Sequence, residues 1–106
     1  MQQFRFGEAV VVHGLPGTTH ASVTADGKVM ILLPRGVVNA EVQYVEREDN
    51  TPITCFSRIF GPERVHIYGL PAEVSSPEEY EDGTIGIKFT GCGFSARVDP
   101  QYLRRA

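Results

Sequence analysis

Three histidines, two cysteines and two clusters of charge are the residues of this 106-residue chain whose types could do chemistry. His13, His20 and His66 are able to ligate zinc. No CxxC or HxxxH spacing accompanies them, and a structural zinc site needs four closely placed ligands. Cys55 and Cys92 belong to no CxxC pair and read as two reduced thiols rather than a disulfide. Cys92, between Gly91 and Gly93, reads as a small turn residue; a Cys-His nucleophile would need the fold to bring its members together. Gly91-Cys92-Gly93 precedes a strand-like run, not the helix that a phosphate-binding loop opens. No catalytic residue, metal ligand or cofactor site is expected, and the chain reads as non-enzymatic.

The charge clusters suggest binding instead. Glu78, Glu79, Glu81 and Asp82, with Tyr80 among them, form an acidic run. It reads as a solvated loop around a helix start, or as a recognition patch for a protein. Lys88, Arg97 and Arg104 lie among Tyr68, Tyr80 and Tyr102. Basic side chains with stacking aromatics are what single-stranded nucleic acid requires. Acidic residues are as frequent in the same half, and the net charge of −3 opposes a phosphate-backbone binder. Nucleic-acid binding is therefore the alternative, not the favoured reading.

The apolar fraction of 42% and charged fraction of 22% are those of an ordinary globular protein. No stretch approaches the apolar length of a membrane span, and Met1 to Arg5 lack a signal peptide's core. No membrane partner is expected, and a cytoplasmic location is.

What positions these residues is an internal repeat. Phe6-Gly7 and Gly14-Leu15-Pro16 recur as Phe60-Gly61 and Gly69-Leu70-Pro71, 54 and 55 positions later. Asp26-Gly27 followed by Val29, Ile31 and Leu33 recurs 56 positions on as Asp82-Gly83 followed by Ile85, Ile87 and Phe89. Ala40-Glu41-Val42 is matched to Ala96-Arg97-Val98, and Tyr44 to Arg47 echoes in Tyr102 to Arg105, 58 positions later. The expected units are residues 1–50 and 51–106. Each is near the lower size limit of an independent domain, so the two should pack together.

The local signals are those of strands. Val10 to Val12 make a first strand, Gly14 to Gly17 a turn, and Thr19 to Ala25 a second strand. Asp26-Gly27 is a tight-turn dipeptide, because such turns need positive φ. Lys28 to Leu33 and Val38 to Tyr44 follow, and Pro52 to Phe60 reads as one more strand. Ser76, Pro77 and Glu79 carry a helix-start signature, which predicts one short helical turn there. Asp99 to Leu103 reads as a closing turn. Phe6, Gly7, Val10, Val12, Pro16, Gly17 and Gly27, with counterparts Phe60, Gly61, Val65, Ile67, Pro71 and Gly83, resemble the opening of SH3-like barrels of the KOW type. The resemblance implies an all-β fold of two tandem SH3-like small barrels. It implies no active site.

The two copies differ on one face. Alternate side chains of a strand point opposite ways. Val29, Ile31 and Leu33 match Ile85, Ile87 and Phe89 as a core face, whereas Met30 and Leu32 match Gly86 and Lys88. Val11 likewise matches His66. Burying each of Val11, Met30 and Leu32 is worth about 1.5–3 kcal/mol. They are expected either to pack on the second copy or the Pro52 to Phe60 segment, or to meet another chain. The favoured reading is a protein-binding module whose partner, or homodimer mate, touches Val11, Met30, Leu32, Glu78, Glu79 and Tyr80.

Overall fold

Alternation of apolar and polar residues sets the strands. Val10 and Val12 are buried while Val11 is half-buried; Val29, Ile31 and Leu33 are buried while Leu32 is exposed. The structure, a computed structural model, describes residues 4–59, 61–91 and 93–106. Phe60 and Cys92, and the expectations placed on them, lie outside the described residues. In chain order the strands are β1 (Ala9–Thr19), β2 (Lys28–Leu33), β3 (Gly36–Glu41), β4 (Val45–Arg47), β5 (Arg64–Ser76), β6 (Ile85–Phe89), β7 (Ser95–Val98) and β8 (Leu103–Arg105). Single 3-10 turns at Val42–Tyr44 and Pro100–Tyr102 precede β4 and β8.

These strands make one sheet, ordered β4-β5-β6-β7-β3-β2-β1-β8, and β1 also pairs with β5. That extra pairing closes six strands into a barrel and leaves β4 and β8 outside the ring. The expected pair of tandem barrels is thus not what forms. Three strands from each half build a single barrel, because half a chain of this size buries too little surface to close alone. Val10, Val12, Ile31, Val38, Ile67, Ile87, Phe89 and Leu103 fill its interior, and Phe4, Ile53 and Ile59 add to that core.

The registers repeat between the halves. Thr18 faces Leu32 and Thr19 faces Ile31; 55 and 56 positions on, Glu73 faces Lys88 and Val74 faces Ile87. Val45 lies against Ile67 of β5, and Leu103 lies against Val12 of β1. Each half therefore lays its last strand on the other half's first. One matched pair shifts. Ile31 faces Val38 and Ile87 faces Ala96, so Ala96 corresponds to Val38, not to Ala40. Phe89 and its partner Phe94 are five positions apart where Leu33 and Gly36 are three apart, which moves the register by two.

Other expectations change for local reasons. Gly14 to Gly17 does not turn the chain; β1 runs through it, with an irregularity around His13 where Gly14 takes φ +80°. Partnering by β5 on one side outweighs the turn-forming composition. Of Thr19 to Ala25 only Thr19 is in a strand. Its buried hydroxyl accepts from the Glu63 amide at 2.9 Å, and its own amide donates to the Glu63 carbonyl at 2.9 Å. Among residues 52–59, Pro52 makes an isolated bridge to Glu46 and no strand forms. Ser76 to Glu79 holds no helical turn; β5 extends to Ser76, which faces Gly86. A capping signature without an apolar stripe to bury cannot sustain so short a helix. Both Asp-Gly pairs do turn the chain, with Gly27 at φ +78° and Gly83 at +81°.

Candidate functional site

Among the described residues the large apolar side chain exposed on a strand is Leu32, beside the outward-facing residues of β1 and β5. Leu32 remains 44% exposed on β2, opposite Thr18 of β1, which in turn faces Arg64 of β5. Pro16, Thr18, Leu32, Pro34, Arg64 and His66 line a groove of about 640 Å³. Arg64 and Glu48 stand on its rim 4.0 Å apart, both well exposed. Burial of Ile31 and Leu33 in the barrel forces Leu32 outward, so the core itself aims this side chain at the groove.

From the groove an outward strip continues along the two central strands. Pro16 faces His66, and His66 faces Glu46 of β4. Two positions along β5, the Tyr68 ring lies 6.3 Å from that of His66 in stacked orientation. Tyr68 meets His13 of β1 edge-on, with centroids 5.1 Å apart and planes at 74°. Beyond them Val11 faces Pro71 on one side and Arg104 on the other. Val11 is seven residues from Thr18, roughly 20 Å of strand at about 3.3 Å per residue. Val11 and Leu32 are therefore the two ends of one strip and do not touch. Met30 is half-buried, one outward position from Leu32 and opposite Asn39.

The acidic loop does not line the groove, although Asp82 ties it to Arg35, the neighbour of Pro34. Glu78, Glu79 and Tyr80 are exposed in the connection from β5 to β6. Asp82 is its anchor. Its carboxylate accepts from the Thr84 hydroxyl at 2.6 Å and amide at 3.1 Å, and from Arg35 Nε at 3.0 Å. Arg97 Nη2 reaches the same carboxylate at 3.4 Å. The Thr84 hydroxyl first, then Arg35, hold the Asp82 carboxyl well below the usual carboxylate range. Arg97 also stacks over the Tyr80 ring at 4.4 Å.

This arrangement sets the basic candidates apart from one another. Arg97 is engaged by Asp82 and Tyr80. Lys88 is exposed on β6, between Glu73 and Ser95. Arg104 is exposed on β8, three strands away across β1 and β5, and donates to the Gln101 carbonyl at 2.9 Å. They form no continuous basic groove. The structure instead brings together His13, Pro16, Pro34, Arg64, His66 and Tyr68, which were not grouped from the sequence. The alternation that puts Val11 outward also puts His66 and Tyr68 outward, but only the β1–β5 register makes them neighbours of His13.

Phe6 and Phe56 are more exposed than Leu32, at 77% and 91%, yet both sit in turns rather than on strands. Cys55 is a free, exposed thiol. Among the described residues no three His, Cys, Asp or Glu side chains gather closely enough to hold a metal ion, and no helix is long and apolar enough to cross a membrane. Comparison of the chain with protein-family profiles, with curated protein sequences and with solved structures finds no match.

Proposed function

We propose that this chain is a non-enzymatic protein-binding module, an adaptor, assembly component or inhibitor of a larger protein, whose contact surface is the strip from Val11 to Leu32. The observation that carries the reading is Leu32 itself, 44% exposed on a rigid strand and set in a groove of about 640 Å³. An apolar floor with a polar rim is the usual anatomy of a binding site. Tyr68, flanked by two imidazoles, supplies the kind of amphipathic ring that dominates interface energetics. Glu78, Glu79 and Tyr80 are not among the residues that line the groove and are left out of this surface.

The finer reading of the fold follows the registers. The matched pairings support descent from a duplicated half-barrel more than from two tandem SH3-like barrels.

The test compares the wild-type chain with Leu32→Lys, both immobilised and exposed to extract of the source cells. A protein retained by the wild type and lost by Leu32→Lys, with thermal unfolding unchanged, supports the proposal. Equal retention by both, or retention by neither, sinks it. The nucleic-acid alternative has a separate check. Salt-dependent binding of a mixed oligonucleotide, abolished by Lys88→Glu with Arg104→Glu, would reinstate it.

A further inference from the structure

We infer that the two halves of this chain, residues 4–47 and 64–105, are partners for one another between molecules as well as within one, so that two copies associate by trading halves. This inference rests on the sheet registers and stands apart from the binding reading above.

The interface between the halves is made largely of paired backbone. β1 and β5 run antiparallel from Ala9 opposite Glu73 to Thr18 opposite Arg64. β4 adds Val45 to Arg47 on β5, and β8 adds Leu103 to Arg105 on β1. Gly36 opposite Ala96 joins β3 to β7 on the far side. Neither half closes a barrel without the other.

The covalent link is the segment 48–63. Its two ends are adjacent, with the Glu48 amide donating to the Arg64 carbonyl at 3.2 Å. Straightening this one connection lets β4 run on into β5 of the same chain while each half docks on the complementary half of a second copy. The pairings that join the halves in the monomer, β1 with β5, β1 with β8, β4 with β5 and β3 with β7, are then reproduced between chains, and the others stay within each half. An exchange of this kind is a low-cost route to a dimer. What holds the monomer closed is buried Ile53 and Ile59 within the link, and Arg47 of β4, which reaches Glu63 at 3.4 Å and the Pro52 carbonyl at 3.1 Å in it. Exchange must therefore pass through opening of the barrel and is favoured by concentration.

The exchanged dimer has a consequence for the Leu32 groove. Pro16, Thr18, Leu32 and Pro34 come from one half, Arg64 and His66 from the other. Each groove of the dimer is thus built from two chains, and one particle presents two of them.

Two measurements test the inference. In the first, wild-type chain is unfolded and refolded at about 1 mM, near the effective concentration of the linked halves, and at about 1 µM. Light scattering should find a species of twice the 11.7 kDa chain mass after the concentrated refolding and monomer after the dilute one. In the second, a protease site is inserted between Asn50 and Thr51, both exposed, and the folded protein is cut there. The pieces should stay together, unfold at a temperature that rises with concentration, and re-assort with isotopically labelled pieces. Monomer alone after refolding at the higher concentration overturns the inference. So does separation of the pieces on cutting. If the insertion prevents folding, the first measurement decides.

Discussion

His13 and Tyr68 face each other across β1 and β5, their rings edge-on at 5.1 Å, and each is the other's counterpart in the repeat. On either side of this pair the β1–β5 register repeats with the two halves interchanged. Val12 faces Leu70 and Leu15 faces Ile67, which are one pairing written twice. The residue after each ring is a glycine in the left-handed region, Gly14 at φ +80° and Gly69 at +76°.

Those two glycines should therefore respond alike. A β-carbon in the left-handed region costs about 1–2 kcal/mol. At Gly14 it would rest against Tyr68 at 3.8 Å, and at Gly69 against Tyr44 at 3.8 Å, so strain and not collision sets the effect. Gly14→Ala and Gly69→Ala should each lower unfolding free energy by that amount in chemical denaturation. A loss at one position alone would contradict the correspondence of the halves.

Gly17 and Gly36 should be less forgiving. A β-carbon on Gly17 would lie 2.4 Å from Ile31 Cγ2 and 3.1 Å from the Leu32 carbonyl oxygen. On Gly36 it would lie 2.6 Å from the Ala96 β-carbon and 2.8 Å from its α-carbon. Overpacking of this sort costs about 1–3 kcal/mol or more. Gly36→Ala should act by prying β3 from β7, seen as faster amide exchange at Arg97, whose N–H donates to the Arg35 carbonyl.

Neighbouring residues of β2 should separate stability from binding. Ile31→Ala removes a fully buried side chain and should cost about 2–5 kcal/mol. Leu32→Lys changes an exposed one and should shift stability by no more than about 0.5 kcal/mol. Thermal unfolding of both variants checks this. A large loss in Leu32→Lys would mean that the groove is part of the core.

Asp82 should govern part of the acid limb of the stability curve. Its carboxyl titrates lower when folded than the ordinary value of about 3.9, because the Thr84 hydroxyl and Arg35 favour the charged form. A depressed folded value stabilises above the unfolded value, and that stability is lost as pH falls below about 4. Asp82→Asn should flatten the dependence of melting temperature on pH between about 2 and 5. Some slope should persist, since the Thr51 and Thr24 hydroxyls lower Asp49 and Asp26 in the same direction. An unchanged profile would remove Asp82 from this role.

What the sequence by itself determined is local. Val10, Val12, Val29, Ile31 and Leu33 point inward because a strand's side chains alternate and apolar ones are driven from water. Asp26-Gly27 and Asp82-Gly83 turn because glycine tolerates positive φ. Matching one half to the other placed Leu32 and Val11 outward correctly. What tertiary structure decided is which strands meet. The β1–β5 pairing joins residues more than 45 positions apart. Gly14 to Gly17 carries turn residues yet stays in β1 because β5 lies alongside. Ser76 to Glu79 carries a helix start yet stays extended or irregular because there is no core for a helix to cover. The strip from Val11 to Leu32 arises in the same way: its residues come from three strands, and only closure of one barrel by both halves sets them side by side.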